Sequence, residues 1–282
     1  MMTLKFTKMQ GLGNDFMVVE AIHQTINFPP PLIKKWADRH FGIGFDQLLV
    51  VEPASQDGVD FRYRIFNADG SEGQQCGNGA RCFARFVLDK GLTDKTEINV
   101  ETASGIIVLY IEDNDRVRVN MGVPNFSPQS LPFHQTRNQT TQQERYSLTV
   151  LDDVVELGVV SMGNPHAVLL VNDIQTAKVA QLGNAIGMHE CFPERVNVGF
   201  AQKIDNTHIA LRVYERGAAE TLACGTGACA AMVVLRHWGL VDELVTVSLP
   251  GGDLVIRWSG ALHDPVWMSG PAVTVFEGEM NV

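Results

Sequence analysis

Two stretches share one chemistry-bearing pattern: CGNGARC from Cys76 to Cys82, and CGTGACA from Cys224 to Ala230. In each, a cysteine precedes Gly-x-Gly-Ala and an apolar run, which places the thiol where a buried helix begins. The two glycines let the backbone turn tightly into that helix. Free N–H groups and the helix dipole make such a place electropositive. A thiol there is expected to have a lowered pKa, and the same N–H groups can hold a carboxylate. A single cysteine of this kind reads as packing, because free cysteine is among the most buried residue types. Two at matched positions ask for a shared role.

Two acid–base groups on opposite faces of one carbon suit inversion of a stereocentre. One thiolate removes the proton while the other thiol returns one. The Cα–H of an amino acid is a very weak acid, so the carbanion needs support. Two helix N-termini converging on the carboxylate would stabilise the enediolate-like transition state more than the substrate. No pyridoxal cofactor is then needed, and the sequence carries no convincing pyridoxal-lysine signature, although sequence alone leaves one open. CGNGARC lacks the Lys-Ser/Thr ending of a phosphate-binding loop. No C-x-x-C is present, and Cys76 with Cys82 lacks zinc-site spacing, so no metal is expected. The competing use of Cys76 and Cys224 is a redox pair, a weaker one beside acidic and amide residues that serve no electron relay.

Both words sit inside a longer repeat. Laid over each other without a gap, 65–94 and 213–242 share Glu72/Glu220, Cys76/Cys224, Gly77/Gly225, Gly79/Gly227, Ala80/Ala228, Gly91/Gly239, Leu92/Leu240 and Asp94/Asp242. Upstream, Asn14 falls on Asn164 and Gln47 on Asn197. The expected fold is α/β (α+β), with two pseudo-symmetric halves, each wrapping strands around a central buried helix, and an active-site cleft between them. The halves are expected at 1–124, joined by a C-terminal strand at 270–282, and at 125–269. Strand-like runs are FMVVEA, QLLVVEP, FRYRIFN, INVETASGIIVLYIE and RVRVNMG. A helix is expected from about Gly79 to Lys90, stopped by Gly91, with Arg81, Arg85 and Asp89 as a polar stripe. The helix after Cys224 has no charge before Arg236 and reads as buried on most sides. The Pro-, Gln- and Thr-rich stretch 125–147 reads as the connection between halves.

Composition narrows the class. The 282 residues are 45% hydrophobic and 19% charged, ample for a core. Lys+Arg 22 against Asp+Glu 32 gives a net charge of −10, which disfavours a nucleic-acid partner. The N-terminus lacks the features of a signal peptide, and no apolar stretch approaches a membrane span. Five cysteines, an odd number, point to reduced thiols in the cytoplasm.

MQGLGNDF, FNADGSEGQQCGNGARC, GNPH and YERGAAETLACGTGACA closely resemble the diaminopimelate epimerase family, in the family's order and over essentially the whole chain. The resemblance implies a cofactor-independent amino-acid epimerase. Such an enzyme interconverts LL- and meso-2,6-diaminopimelate on the route to lysine and peptidoglycan, and is usually a homodimer whose cleft closes on substrate. It implies Cys76 and Cys224 as the acid–base thiols. Asn14, Gln47, Asn67, Asn164, Asn197, Glu215 and Arg216 match substrate contacts. Gly77, Asn78, Gly225 and Thr226 match donors around the carboxylate, while His166 and Glu215 match residues that adjust thiol pKa. Cys82, Cys191 and Cys229 are assigned to packing. The sequence departs from the family at Gly73 and Ala219, and at Phe276, where some members carry a tyrosine associated with dimer contact. A proline or hydroxyproline racemase shares the two-thiol logic, and a non-catalytic redox or ligand-binding relative is the alternative of a different class.

Overall fold

The computed structural model describes residues 3–73, 76–134, 144–151 and 153–281. Two compact units partition the chain: Met1–Asn120 with Ser269–Val282, and Met121–Met268. The first unit runs β1 (Thr3–Gly11), β2 (Asn14–Glu20), α1 (Pro30–Ala37), β3 (Gln47–Pro53), β4 (Phe61–Asn67), β5 (Glu72–Gly73), α2 (Gly77–Asp89), β6 (Glu97–Thr102), β7 (Gly105–Ile111) and β8 (Arg116–Asn120). The second runs β9 (Tyr146–Val150), β10 (Asp153–Ser161), β11 (Pro165–Leu170), α3 (Val179–Gly187), β12 (Asn197–Lys203), β13 (His208–Glu215), β14 (Ala219–Thr221), α4 (Gly225–His237), β15 (Leu244–Leu249) and β16 (Gly252–Arg257). Within β17 (Trp267–Pro271) the chain returns to the first unit, and β18 (Val273–Asn281) pairs antiparallel with β1 there.

The repeat in the sequence is a repeat of topology. In the first unit β1 and β2 form an antiparallel hairpin, β2 and β3 pair in parallel with Phe16 opposite Gln47, and β3 and β4 are antiparallel. In the second, β10 and β11 form the hairpin, β11 and β12 are parallel with His166 opposite Asn197, and β12 and β13 are antiparallel. The outer neighbour of β1 is β18, as that of β10 is β9. The fold is mixed α/β, mostly strands, with pseudo-symmetric halves.

One helix lies at the heart of each unit. Ala80, Cys82, Phe83, Ala84 and Val87 of α2 are buried, and Ala228 through Leu235 of α4 are buried without a break. Each large apolar side chain of this kind contributes roughly 2 kcal/mol on burial. Both helices stop in the same way. Gly91 and Gly239 take positive φ, of 62° and 71°. Their N–H groups bond to Leu88 O and Arg236 O, and those of Leu92 and Leu240 to Val87 O and Leu235 O, which is a Schellman closure in both.

Two expectations need correction, and two helices fall outside them. Helix α2 starts at Gly77, two residues before the expected Gly79, because Cys76 caps it directly. Arg81 is not on an exposed stripe with Arg85 and Asp89 but fully buried. Its Nε donates to Pro271 O at 3.2 Å and its Nη1 to Gly77 O at 3.4 Å, so carbonyls replace the water a guanidinium otherwise needs. Arg85 and Asp89 do pair, at 2.8 Å. Helices α1 and α3 were not foreseen, since one opens in a run of prolines and the other holds two glycines in nine residues. Of the connection at 125–147, residues 135–143 lie outside the described residues. No helix among the described residues is long and apolar enough to cross a membrane.

Candidate active site

In the first unit the site grows from the start of α2. Cys76 is its N-cap, with extended backbone, and the thiol sulfur accepts from Gly79 N–H at 3.5 Å. Position 79 must be glycine, for a Cβ there would lie 2.5 Å from the Tyr63 hydroxyl. Gly77 and Asn78 occupy the first turn, where backbone N–H groups have no acceptor within the helix. Gly13, at φ 84°, turns the β1–β2 hairpin so that Asn14 comes beside Cys76. The thiol donates to Asn14 Oδ1 at 3.6 Å, and Asn78 Nδ2 donates to the same oxygen at 3.3 Å. Alongside, Gln47 Nε2 donates to Asn67 Oδ1 at 3.0 Å, a contact set by their opposed places on β3 and β4.

Behind Asn14 stands a charged network absent from the candidate residues. Asn14 Nδ2 donates to Asp46 Oδ2 at 2.9 Å. Arg39 bridges Asp15 and Asp46, at 2.7 Å and 2.8 Å, and Lys8 pairs with Asp15 at 2.6 Å while also meeting Gly44 O. Burial works against the Asp15 carboxylate, but hydrogen bonds from Arg39 and Lys8 outweigh it and hold its pKa well below the usual range. The sequence signal was local: an acid follows Asn14 in GNDF, and another precedes Gln47 in GFDQ.

In the second unit Cys224 caps α4 in the same extended conformation. Gly163, at φ 87°, turns the β10–β11 hairpin as Gly13 turns its counterpart. Thr226 Oγ1 lies 3.6 Å from the Cys224 sulfur and accepts from Asn164 Nδ2 at 3.3 Å. Asn164 Oδ1 in turn lies 3.0 Å from His166 Nε2. Burial, with the Arg216 cation adding to it, pushes His166 down to about 3, so the imidazole is neutral and donates through Nε2–H. Asn197 accepts the Arg216 N–H at 2.8 Å and donates to Pro165 O at 3.1 Å. Glu215 accepts from Thr221 Oγ1 at 2.5 Å. A hollow of about 370 Å³ borders Glu215 and Arg216.

The electrostatics at Cys224 differ from the expectation of a lowered pKa. Burial pushes this thiol well above its ordinary value and the Glu215 carboxylate adds to the rise, while the Thr226 hydroxyl and the nearby Gly227 N–H oppose it. Loss of hydration by a buried thiolate prevails over the donors at the helix start. Cys224 therefore holds its proton. Cys82, also buried, is pushed up to about 12, which suits a packing thiol. All five cysteines are unbridged. Among the described residues no three or more His, Cys, Asp or Glu gather as for a metal ion.

Within each unit the candidate residues form small hydrogen-bonded groups around the helix start: Asn14, Cys76 and Asn78, with the pair Gln47 and Asn67, in the first, and Asn164, His166, Thr226 and Cys224, with the pair Asn197 and Arg216, in the second. Gly77 and Gly225 open the two helices, and Glu215 lies close enough to Cys224 to raise its pKa. Paired units of this topology, each with a cysteine capping its buried helix, define a pseudo-symmetric class of α/β proteins. A solved phenazine biosynthesis protein of the PhzF family from Bacillus anthracis is similar in fold, with a TM-score of 0.72, 18% identity and 100% of both chains covered. So is a hydroxyproline epimerase from Agrobacterium vitis, with a TM-score of 0.68, 15% identity, and 98% of this chain and 92% of the other covered. At those identities the likeness speaks for the fold.

Sequence likeness goes further. The diaminopimelate epimerase family pattern matches residues 6–127 and 158–275. A diaminopimelate epimerase from Nitrosomonas europaea is 58% identical over 281 residues, covering 100% of both chains. The chain belongs to the diaminopimelate epimerase family.

Proposed function

We propose that this protein is an isomerase that epimerises diaminopimelate between its LL and meso forms, in the biosynthesis of lysine and of peptidoglycan precursors. Family membership supports the substrate and the reaction. The single observation that carries the chemistry is that both units place a cysteine as the N-cap of a buried helix, with an asparagine of the neighbouring hairpin bonded to the thiol in the first unit and to the thiol's Thr226 neighbour in the second.

In this mechanism Cys76 and Cys224 act on opposite faces of one Cα. The backbone N–H groups of Gly77, Asn78, Gly225 and Thr226 take the adjacent carboxylate and stabilise the charge that develops as the Cα–H bond breaks. Cys224, which keeps its proton in its buried setting, serves as the acid in the direction where the Cys76 thiolate is the base. After that turnover the protonation states are exchanged, and the enzyme is set for the reverse direction. Asn67, Asn164, Asn197, Glu215 and Arg216, with Asn14 and Gln47, offer both charges and several amides to the substrate's polar groups. His166, neutral and donating, fixes the Asn164 amide and through it the Thr226 hydroxyl. The chemistry assigned to these residues needs neither pyridoxal phosphate nor a metal. The protein acts in this account as a homodimer in the reducing cytoplasm, with no nucleic-acid or membrane partner.

The test is epimerisation of LL-diaminopimelate by the purified protein, its Cys76→Ala variant and its Cys224→Ala variant, followed by chiral separation of the product. Each variant is expected to lose roughly 100-fold or more in kcat, the usual contribution of a positioned acid–base group. Activity close to wild type in either would remove the two-thiol mechanism.

A further inference from the structure

The two units differ where their symmetry would make them alike. The shared register of Phe16 on Gln47 and His166 on Asn197 makes these positions equivalent, and Asn14 corresponds to Asn164 in the same alignment. Asp46 precedes Gln47, while Val196 precedes Asn197. Asp46 accepts from Asn14 Nδ2 at 2.9 Å. A valine side chain cannot accept, and in the second unit a histidine at the position of Phe16 takes the Asn164 carbonyl instead, at 3.0 Å. The amides are consequently turned opposite ways. Asn14 shows its oxygen to Cys76, at 3.6 Å, whereas Asn164 shows its NH2 to Thr226, whose hydroxyl lies beside Cys224.

We propose that Asp46 is a positioning residue for Cys76: it holds the Asn14 NH2, so that the Asn14 carbonyl oxygen faces the thiol and receives its S–H. This rests on the reading of Cys76 as a reacting thiol. The carboxylate can only accept, which leaves the Asn14 amide one orientation. Asp46 is itself held, its Oδ2 taking the Asp15 N–H at 3.1 Å and its Oδ1 the Arg39 guanidinium at 2.8 Å. An acceptor facing the sulfur favours the protonated thiol, the form in which Cys76 is the acid of the reverse direction, and fixes the direction of the S–H bond, while an NH2 in its place would favour the thiolate. The titratable groups whose electrostatics involve Cys76 include Tyr63 from β4 and Cys82 from α2, with the Arg81 cation beside Cys82. None of them touches Asp46 in the hydrogen bonds described above.

The experiment measures alkylation of Cys76 by iodoacetamide across pH, read peptide by peptide, so that the midpoint belongs to that thiol. Asp46→Val copies the residue of the second unit and removes the acceptor of the Asn14 NH2, leaving only the 3.3 Å bond from Asn78 Nδ2 to oppose the amide turning its NH2 to the sulfur. The midpoint is expected to fall by about one pH unit, the scale of one hydrogen bond's preference between the two forms. Asp46→Asn keeps an acceptor oxygen, which the Asp15 N–H holds in place, and Arg39→Gln removes the ion pair but leaves the carboxylate. Both should retain the wild-type midpoint. A purely electrostatic influence would instead move those two in opposite directions, and a merely structural one would move all three together; either result, or no shift in Asp46→Val, overturns the proposal. Should Asp46→Val fail to fold, neutron diffraction of the wild type decides, with deuterons on Asn14 Nδ2 pointing at Asp46 as expected, or at Cys76 against it. Epimerase activity in Cys76→Ala would refute the role of Cys76 as a reacting thiol without altering the alkylation result.

Discussion

The Thr226 hydroxyl lies 3.6 Å from Cys224 Sγ while accepting from Asn164 Nδ2 at 3.3 Å, so its own proton is free to point at the sulfur. This contact and the Gly227 N–H oppose the burial that raises the Cys224 pKa. Removing the hydroxyl in Thr226→Val should therefore raise that pKa further. The thiolate form then appears at higher pH, and at neutrality kcat falls by roughly tenfold, the worth of one hydrogen bond to a charged group. Thr226→Ser should restore both. The pH profile of kcat/KM checks this, and an unmoved profile in Thr226→Val would show that the hydroxyl does not reach the sulfur in the working enzyme.

His166 carries a pH signature in stability. Its folded pKa is depressed from 6.5 to about 3, so below pH 6.5 the unfolded chain binds a proton that the folded protein does not. The stabilisation is present above the unfolded value and is lost as the pH falls towards 3. Urea unfolding at pH 7 and pH 4 should show a smaller loss in His166→Gln than in the wild type. Equal losses would mean that the folded imidazole takes up its proton normally.

Cys82 should show the opposite limb. Its folded pKa stands near 12 against an ordinary 9.0, so above pH 9 the unfolded chain ionises while the folded thiol cannot. Its contribution is complete below pH 9 and lost as the pH rises to about 12. The drop in stability between pH 8 and pH 10.5 should be smaller in Cys82→Ala than in the wild type, measured by urea unfolding at each pH. Parallel losses in the two proteins would place the thiol in contact with water.

Much of the fold was legible because its signals are local. The Cys-Gly-x-Gly-Ala words mark helix starts, Gly91 marks a helix end, and the apolar run after Cys224 marks a buried helix; all three depend on neighbouring residues alone. Arg81 was misread because spacing of four reveals a helix face but not the carbonyl of Pro271, 190 residues away, that meets it. The Cys224 pKa was misread for a related reason. A helix N-terminus is visible in sequence, whereas complete burial and the approach of Glu215 exist only after folding. Asp46 escaped notice because an acid in a loop resembles any solvated charge until Arg39, Asp15 and Asn14 close around it.

The central claim, that two thiols work on opposite faces of one carbon, is tested most directly by isotope. LL-diaminopimelate is incubated with the wild-type protein in D2O, and deuterium at the α-carbons is followed in both isomers at low conversion. Thiol protons exchange with solvent, so the acid that completes inversion delivers deuterium, while a substrate returned without inversion regains the proton just removed. The account predicts meso product carrying one α-deuterium and remaining LL substrate that is still protiated. Meso product that retains its α-protium, or LL substrate that gains deuterium as fast as product forms, would contradict it.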